Sequence, residues 1–144
     1  MEQLKLKHEQ ACKAVKTLED ILVRLEKSRS GDKNQEDFIV NRDATIQRFE
    51  YSVDTTWKYL KLFLFKFYGV EMNSPKTVFK EAYKNRIISD HEITCALDMV
   101  DARNMTSHAY DEETADRVVE QIPRFTILLN KLLALCSPDS KNKK

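Results

Sequence analysis

Two glycines and three prolines in 144 residues leave few turn signals, so the chain has little of what a strand-rich fold needs and reads as helical. Three cysteines, Cys12, Cys95 and Cys136, are odd in number, far apart and without a C-x-x-C pair. That pattern argues against a disulfide framework or a zinc site; the expectation is small buried hydrophobes in a reducing compartment, with no metal and no cofactor. No stretch approaches 18 uninterrupted apolar residues, and the opening MEQLKLKHEQ carries no apolar signal core. A membrane span and a secretory leader are therefore not expected, and the predicted location is the cytoplasm. Charge of one sign is also missing. With 24 Lys and Arg against 23 Asp and Glu, no global field draws the chain to nucleic acid or to an anionic bilayer, so any such contact has to be local.

What is present in quantity is apolar spacing of three and four. Leu4, Ala11, Val15, Leu18, Leu22 and Leu25 form one seam of a long first helix. SRSGDKNQED, residues 28–37, interrupts it as a loop, and a second long helix starts near residues 34–38. That helix carries Ile46, Phe49, Val53, Trp57, Leu60, Phe63 or Leu64, and Phe67, then stops at Gly69. Within it WKYLKLFLFKFYGV is apolar on nearly every face, which fits either a central core helix or a helix covered by a second copy on its far side. Ser74-Pro75 opens a short helix in which Val78, Phe79, Ala82 and Tyr83 oppose a basic stripe of Lys76, Lys80 and Lys84, read as a solvated face. Ser89-x-x-Glu92 is a capping box for the next helix, with Ile93, Ala96, Leu97, Val100 and Met105 inward. Asp111 caps a last helix through Val118, Val119, Ile122, Ile127, Leu128, Leu132 and Leu135, where Pro123 predicts a kink or a join. The expected fold is all-α, an up-and-down four-helix bundle with an additional short helix, dimerising. It forms one domain over 1–136 with a disordered basic tail over 137–144. A domain near this size buries about 68–70% of its unfolded surface, enough for a core without a staple.

Residues 101–113, DARNMTSHAYDEE, are the segment that a bundle alone does not explain. At about 100° per residue, Asp98, Asp101, Asn104 and His108 share one face, while Arg103 lies about 140° from His108. In one straight helix these two do not meet. They converge if the helix ends near Ser107 or if two copies of the segment face each other. Their chemistry suits a phosphodiester. A neutral-range imidazole moves protons, and a fixed guanidinium holds a phosphate and its developing charge. Asn104 can orient the ring or a ligand, and Asp101 can pair with Arg103 or set the imidazole tautomer. An ordinary polar helix end explains the same residues without any chemistry.

The string Arg103-Asn104-x-x-x-His108-x-Tyr110 resembles the R-x4–6-H motif of the HEPN superfamily. Its context, ARNMTSHAYDEETA late in a small helical chain, is similar to the branch known as nucleotidyltransferase substrate-binding proteins, HepT-like partners of minimal nucleotidyltransferases. The resemblance covers most of the chain in length and helix order, with its specific residues confined to 101–115. It implies a homodimer whose motif helices share a nucleotide- or RNA-binding cleft at Arg103 and His108. The implied partner is a small nucleotidyltransferase encoded by a neighbouring gene. Two roles follow from it. One is a non-catalytic subunit that presents substrate to the nucleotidyltransferase. The other is a metal-independent ribonuclease toxin of a toxin–antitoxin pair, with Arg103 and His108 catalytic and Asn104 and Asp101 in support, silenced by AMP transfer to Tyr110. A helical dimerisation module without chemistry is the third reading.

Overall fold

The computed structural model describes residues 1–29, 35–108 and 111–139, without the side chains of Gln35 and His108. Five α-helices follow one another: α1 (Glu2–Arg29), α2 (Gln35–Tyr68), α3 (Pro75–Lys84), α4 (Asp90–Met105) and α5 (Glu112–Leu135), with a 3-10 turn, Thr106–His108, between the last two. No strand occurs among the described residues. α1 packs chiefly along α2, α5 closes over both, and the short α3 with α4 completes the bundle. At 1.5 Å per residue α2 is about 50 Å long, the spine on which the others assemble.

Local chemistry sets the ends. Gly69 takes φ 68°, and its N–H donates to the Phe65 carbonyl at 3.1 Å, so α2 stops in the left-handed cap that glycine adopts without a Cβ penalty. Pro75 opens α3 behind Ser74, whose N–H donates to the Thr77 hydroxyl at 3.3 Å. The Ser89–Glu92 capping box closes reciprocally: the Glu92 N–H donates to Ser89 Oγ at 3.2 Å and the Ser89 N–H to Glu92 Oε1 at 2.8 Å. Asp111 sits at the N-cap of α5, but its carboxylate accepts from the Thr114 hydroxyl at 2.8 Å instead of from a backbone N–H. At the other end of α5, His8 Nε2 donates to the Leu133 carbonyl at 2.9 Å and the buried Tyr59 hydroxyl donates to the Cys136 carbonyl. Two orphan carbonyls of α5 are thus met by side chains of α1 and α2.

The buried seams of α1 and α2 are largely those the spacing marks, from Leu4 to Leu25 and from Ile46 to Leu64. Other expectations need correction. In α4, Met99 and Ala102 are buried while Met105 is 44% exposed, because the helix turns its last residue outward as it passes into the 3-10 turn. In α5, Ile127 is 71% exposed and Leu135 is exposed, and Phe125, Leu129 and Leu133 fill the core instead. Pro123 neither breaks nor divides α5, since it lies on the exposed side with Val119, Ile122 and Phe125 holding the opposite face in the core. Of the cysteines, Cys136 alone is buried; Cys95 is partly covered and Cys12 exposed. The interruption after α1 is also shorter than the SRSGDKNQED segment, because α1 continues through Arg29 and residues 30–34 lie outside the description. Ser137–Asp139 form a turn with Pro138 buried, and residues 140–144 of the tail lie outside the described residues. No described helix is long and apolar enough to cross a membrane.

Candidate functional site

α4 delivers Arg103 to α2 rather than to Asp101. The guanidinium forks onto Asp54, Nε to Oδ1 at 3.0 Å and Nη2 to Oδ2 at 2.9 Å. Its Nη1 donates to Glu50 Oε2 and to the Thr106 hydroxyl, both at 3.1 Å. Thr106, buried at the start of the 3-10 turn, in turn donates to Glu50 Oε2 at 2.6 Å. These four bonds use four of the five N–H donors that a guanidinium owns. Chiefly Asp54, and with it Glu50, raises the pKa of Arg103 against a lowering from burial, so the group is fixed as a cation held by two carboxylates. Of the two roles open to Asp101, pairing with Arg103 does not occur. Helical geometry turns Asp101 to the opposite side, where Lys76 of α3 pairs with it at 2.7 Å.

The α-helix ends at Met105, two residues before the position suggested by the sequence, and the tighter turn Thr106–His108 follows. The side chain of His108 and residues Ala109 and Tyr110 lie outside the described residues. Asn104 is exposed, its carbonyl accepting from the Ser107 hydroxyl at 3.0 Å. Among the described residues no group of three or more His, Cys, Asp or Glu is placed to hold a metal.

The far side of this turn is pinned by a second ion cluster that the sequence reading missed. Arg42 of α2, 3% exposed, donates through Nη2 to Glu112 Oε1 and through Nη1 to Asp116 Oδ1, each at 3.1 Å. Arg42, Glu50 and Asp54 recur at helical spacing along α2, so one stripe of that helix grips the end of α4 and the start of α5. The sequence carries no local signal for it, since the charges at 42, 50 and 54 stand among others at 43 and 48. The basic stripe of α3 is largely spoken for: Lys76 holds Asp101, and Lys84 pairs with Glu81 at 3.5 Å.

Beside the motif, α4 and α5 diverge into an open groove of about 370 Å³. Asp98, Asp101 and Met105 form one wall; Thr114, Arg117, Gln121 and Arg124 form the other. Arg124 leans on the Phe125 ring, 4.6 Å from its centroid, and reaches Asp98 at 3.4 Å. Arg117 forms no ion pair among the described residues.

The ion pairs make an acid limb in the stability profile. Glu112 is held below the usual glutamate range by its bond to Arg42, and Glu92 by Lys131 and then by the Ser89 backbone. A carboxyl whose folded pKa is depressed stabilises the fold above its unfolded pKa, about 4.3, and that contribution is lost as pH falls through the folded value. The melting temperature is therefore expected to decline from pH about 5 toward pH about 3. Glu92→Gln should flatten part of that decline in a thermal-melt series; an unchanged slope would show that the Lys131 pair does not contribute.

Comparison with known proteins fits the chain to one family. The family model described as nucleotidyltransferase substrate binding protein like matches residues 6–136. The chain belongs to that family. Among solved structures, a Thermus thermophilus protein is 33% identical over 83% of this chain and 98% of its own, with a TM-score of 0.68. HI0074 of Haemophilus influenzae shares the fold at a TM-score of 0.77, with 24% identity over 90% of this chain and 98% of that one. Its structure is described as the fold of a substrate binding domain of a nucleotidyltransferase. No curated protein matches the chain. The matched span takes in both ion clusters and the groove, so the site described above lies within the family's own domain.

Proposed function

We propose that the chain is the substrate-presenting subunit of a two-component system, bound to a small nucleotidyltransferase encoded next door and acting as a HEPN-type homodimer. Membership of the family is the observation that carries this reading. The state of Arg103 supports it over cleavage. A guanidinium with four donors already committed to Asp54, Glu50 and Thr106 is a structural strut, poorly free to seize a phosphate. The surface of α2 supports the dimer. Val40, Tyr51 and Phe65 are 65%, 54% and 49% exposed, and with Leu62 they fall in one arc of about 60°. That arc adjoins the Glu50 and Asp54 side of the helix, so a second copy seated there lies next to the Arg103 cluster. Co-expression with the neighbouring gene product is the test. A stable complex on size exclusion, with the chain alone a dimer by light scattering and a monomer as Tyr51→Glu plus Phe65→Glu, supports it. A chain that neither dimerises nor retains the nucleotidyltransferase overturns it.

A second reading, the ribonuclease toxin silenced by AMP transfer to Tyr110, is favoured by Arg103 standing one short turn from His108. Expression alone separates the two. Growth arrest relieved by either His108→Ala or Arg103→Ala supports cleavage, and unaffected growth supports the presenting subunit. Incubation with partner and ATP tests the modification, through an added mass of AMP that Tyr110→Phe abolishes.

A further inference from the structure

We infer that the cleft between the α3–α4 turn and the end of α5 is the surface that docks the nucleotidyltransferase, through a segment carrying a carboxylate beside an apolar side chain. The inference rests on the substrate-presenting reading and names the contact surface which that reading leaves open.

The turn carries a backbone cost. After the cap residue Asn85, Arg86 takes φ 61°, the left-handed conformation that suits glycine and disfavours a residue with a Cβ. Its N–H donates to the Tyr83 carbonyl at 3.0 Å, and the Ile87 N–H donates to the Ala82 carbonyl at 2.9 Å, which hold it there. Glycine closes such a turn without the penalty, so an arginine here costs stability and supplies a side chain that glycine lacks. That side chain is exposed on the rim of an open cleft of about 690 Å³. Tyr83 and Leu135, each 40% exposed, form the apolar part of the cleft, and the partly buried Ile87 roots it in the core. The Tyr83 hydroxyl donates to Asp90 Oδ1 at 2.6 Å, so the ring is held in place before anything binds.

The charges of the cleft are mostly engaged. Glu92 takes Lys131 and the Ser89 N–H, Lys84 pairs with Glu81 at 3.5 Å, and Asp90 is bonded to Tyr83 and not to Arg86. Arg86 forms no ion pair among the described residues. Lys80, exposed one turn before Lys84 on α3, continues the positive side beyond the cleft. A planar guanidinium there takes a carboxylate in two-point contact, and the Tyr83–Leu135 surface takes an apolar side chain next to it. Tyrosine and arginine are also the residue types enriched among the few that dominate protein–protein contacts. Position favours the nucleotidyltransferase over a second copy of the chain. From Asp90 to Arg103 α4 rises about 20 Å, and the α2 arc proposed for the dimer contributes no residue to the cleft. A partner seated here leaves both the dimer arc and the Arg103 turn uncovered, as presentation of a substrate requires.

The test titrates the full chain with the purified product of the neighbouring nucleotidyltransferase gene by calorimetry. Arg86→Gly is the informative variant, because it removes the cation while relieving the backbone. Its melting temperature should rise by about 2–4 °C while binding weakens about tenfold to a hundredfold. A loss of affinity in a more stable chain is not a folding defect. Tyr83→Ala should weaken binding about tenfold, and Arg86→Lys, which keeps the charge without the fork, should lose less than Arg86→Gly. Light scattering should find every variant in the same oligomeric state as the parent. Parent affinity in both Arg86→Gly and Tyr83→Ala overturns the inference and leaves the subunit reading standing. A changed oligomeric state in Arg86→Gly gives the cleft to a second copy and also overturns it. A parent chain that binds no nucleotidyltransferase overturns the surface and the subunit reading together.

Discussion

Phe125→Ala lowers the melting temperature by about 10–20 °C, among the largest single-residue losses expected in the bundle. The ring is fully buried and stacks on Phe49 of α2, centroids 5.8 Å apart and planes 20° from parallel. Truncating a buried phenylalanine removes its transfer energy and leaves a cavity, together about 3–5 kcal/mol. For a domain of this size each kcal/mol moves the midpoint by about 3–4 °C. The position matters beyond its area. Phe125 sits two residues after Pro123, where α5 lacks one backbone donor, so side-chain packing is what keeps the helix continuous across the proline. Its outer face also carries Arg124, so the variant loosens one wall of the groove as well as the core. Ile127→Ala is the matched control. At 71% exposure it should stay within about 0.5 kcal/mol of the parent in the same melts. Equal losses from the two would mean that α5 packs by a different face.

The contrast between those two residues shows what the sequence could and could not reveal. Spacing of three and four marks helices well because amphipathic periodicity is a local property, and five helices with their glycine, proline and capping-box ends were legible from residues 1 to 135. Which of two adjacent apolar residues turns inward is set by the neighbouring helix. Ile127 and Phe125, or Met105 and Met99, are indistinguishable until α2 and α5 are placed against each other. Of the two outcomes open at Pro123, the join does not occur, because tertiary packing carries α5 across the missing donor.

The candidate site divides along the same line. Arg103, Asn104, His108 and Tyr110 carry the resemblance to a motif, and Arg103 does turn away from the face of Asp101. What the guanidinium turns toward instead is 49 and 53 residues away in sequence, at Asp54 and Glu50. Charge pairing over that distance leaves no local trace, and two acids one helical turn apart on an exposed-looking stretch resemble any solvated face. The Arg42 clamp was invisible for the same reason, although an arginine only 3% exposed is among the stronger constraints on how α2 meets α5.

Arg103→Ala is the substitution that reads the site itself. It leaves Glu50 and Asp54, each about a third exposed, one turn apart with no cation between them, and strips Thr106 of one of its partners. Partial exposure screens the loss, so the expected destabilisation is about 1–3 kcal/mol rather than that of a fully buried pair. Asp54→Ala should cost a similar amount by removing the two-point bridge. The double variant decides the mechanism. If the bridge is the source of both losses, the pair falls short of additivity by about 1–2 kcal/mol in urea melts, since Asp54→Ala finds no bridge left to break once Arg103 is gone. Additive losses would assign the effect to packing of the separate side chains. Arg103→Lys sharpens the point: it keeps the charge but not the fork, and should recover little of the stability. A purely catalytic arginine predicts the opposite pattern, with alanine leaving the fold untouched and RNA cleavage falling on the order of a hundredfold to a thousandfold. The four bonds that Arg103 makes within its own chain favour the first outcome, with the guanidinium holding the end of α4 on α2 so that the turn bearing His108 starts from a fixed place.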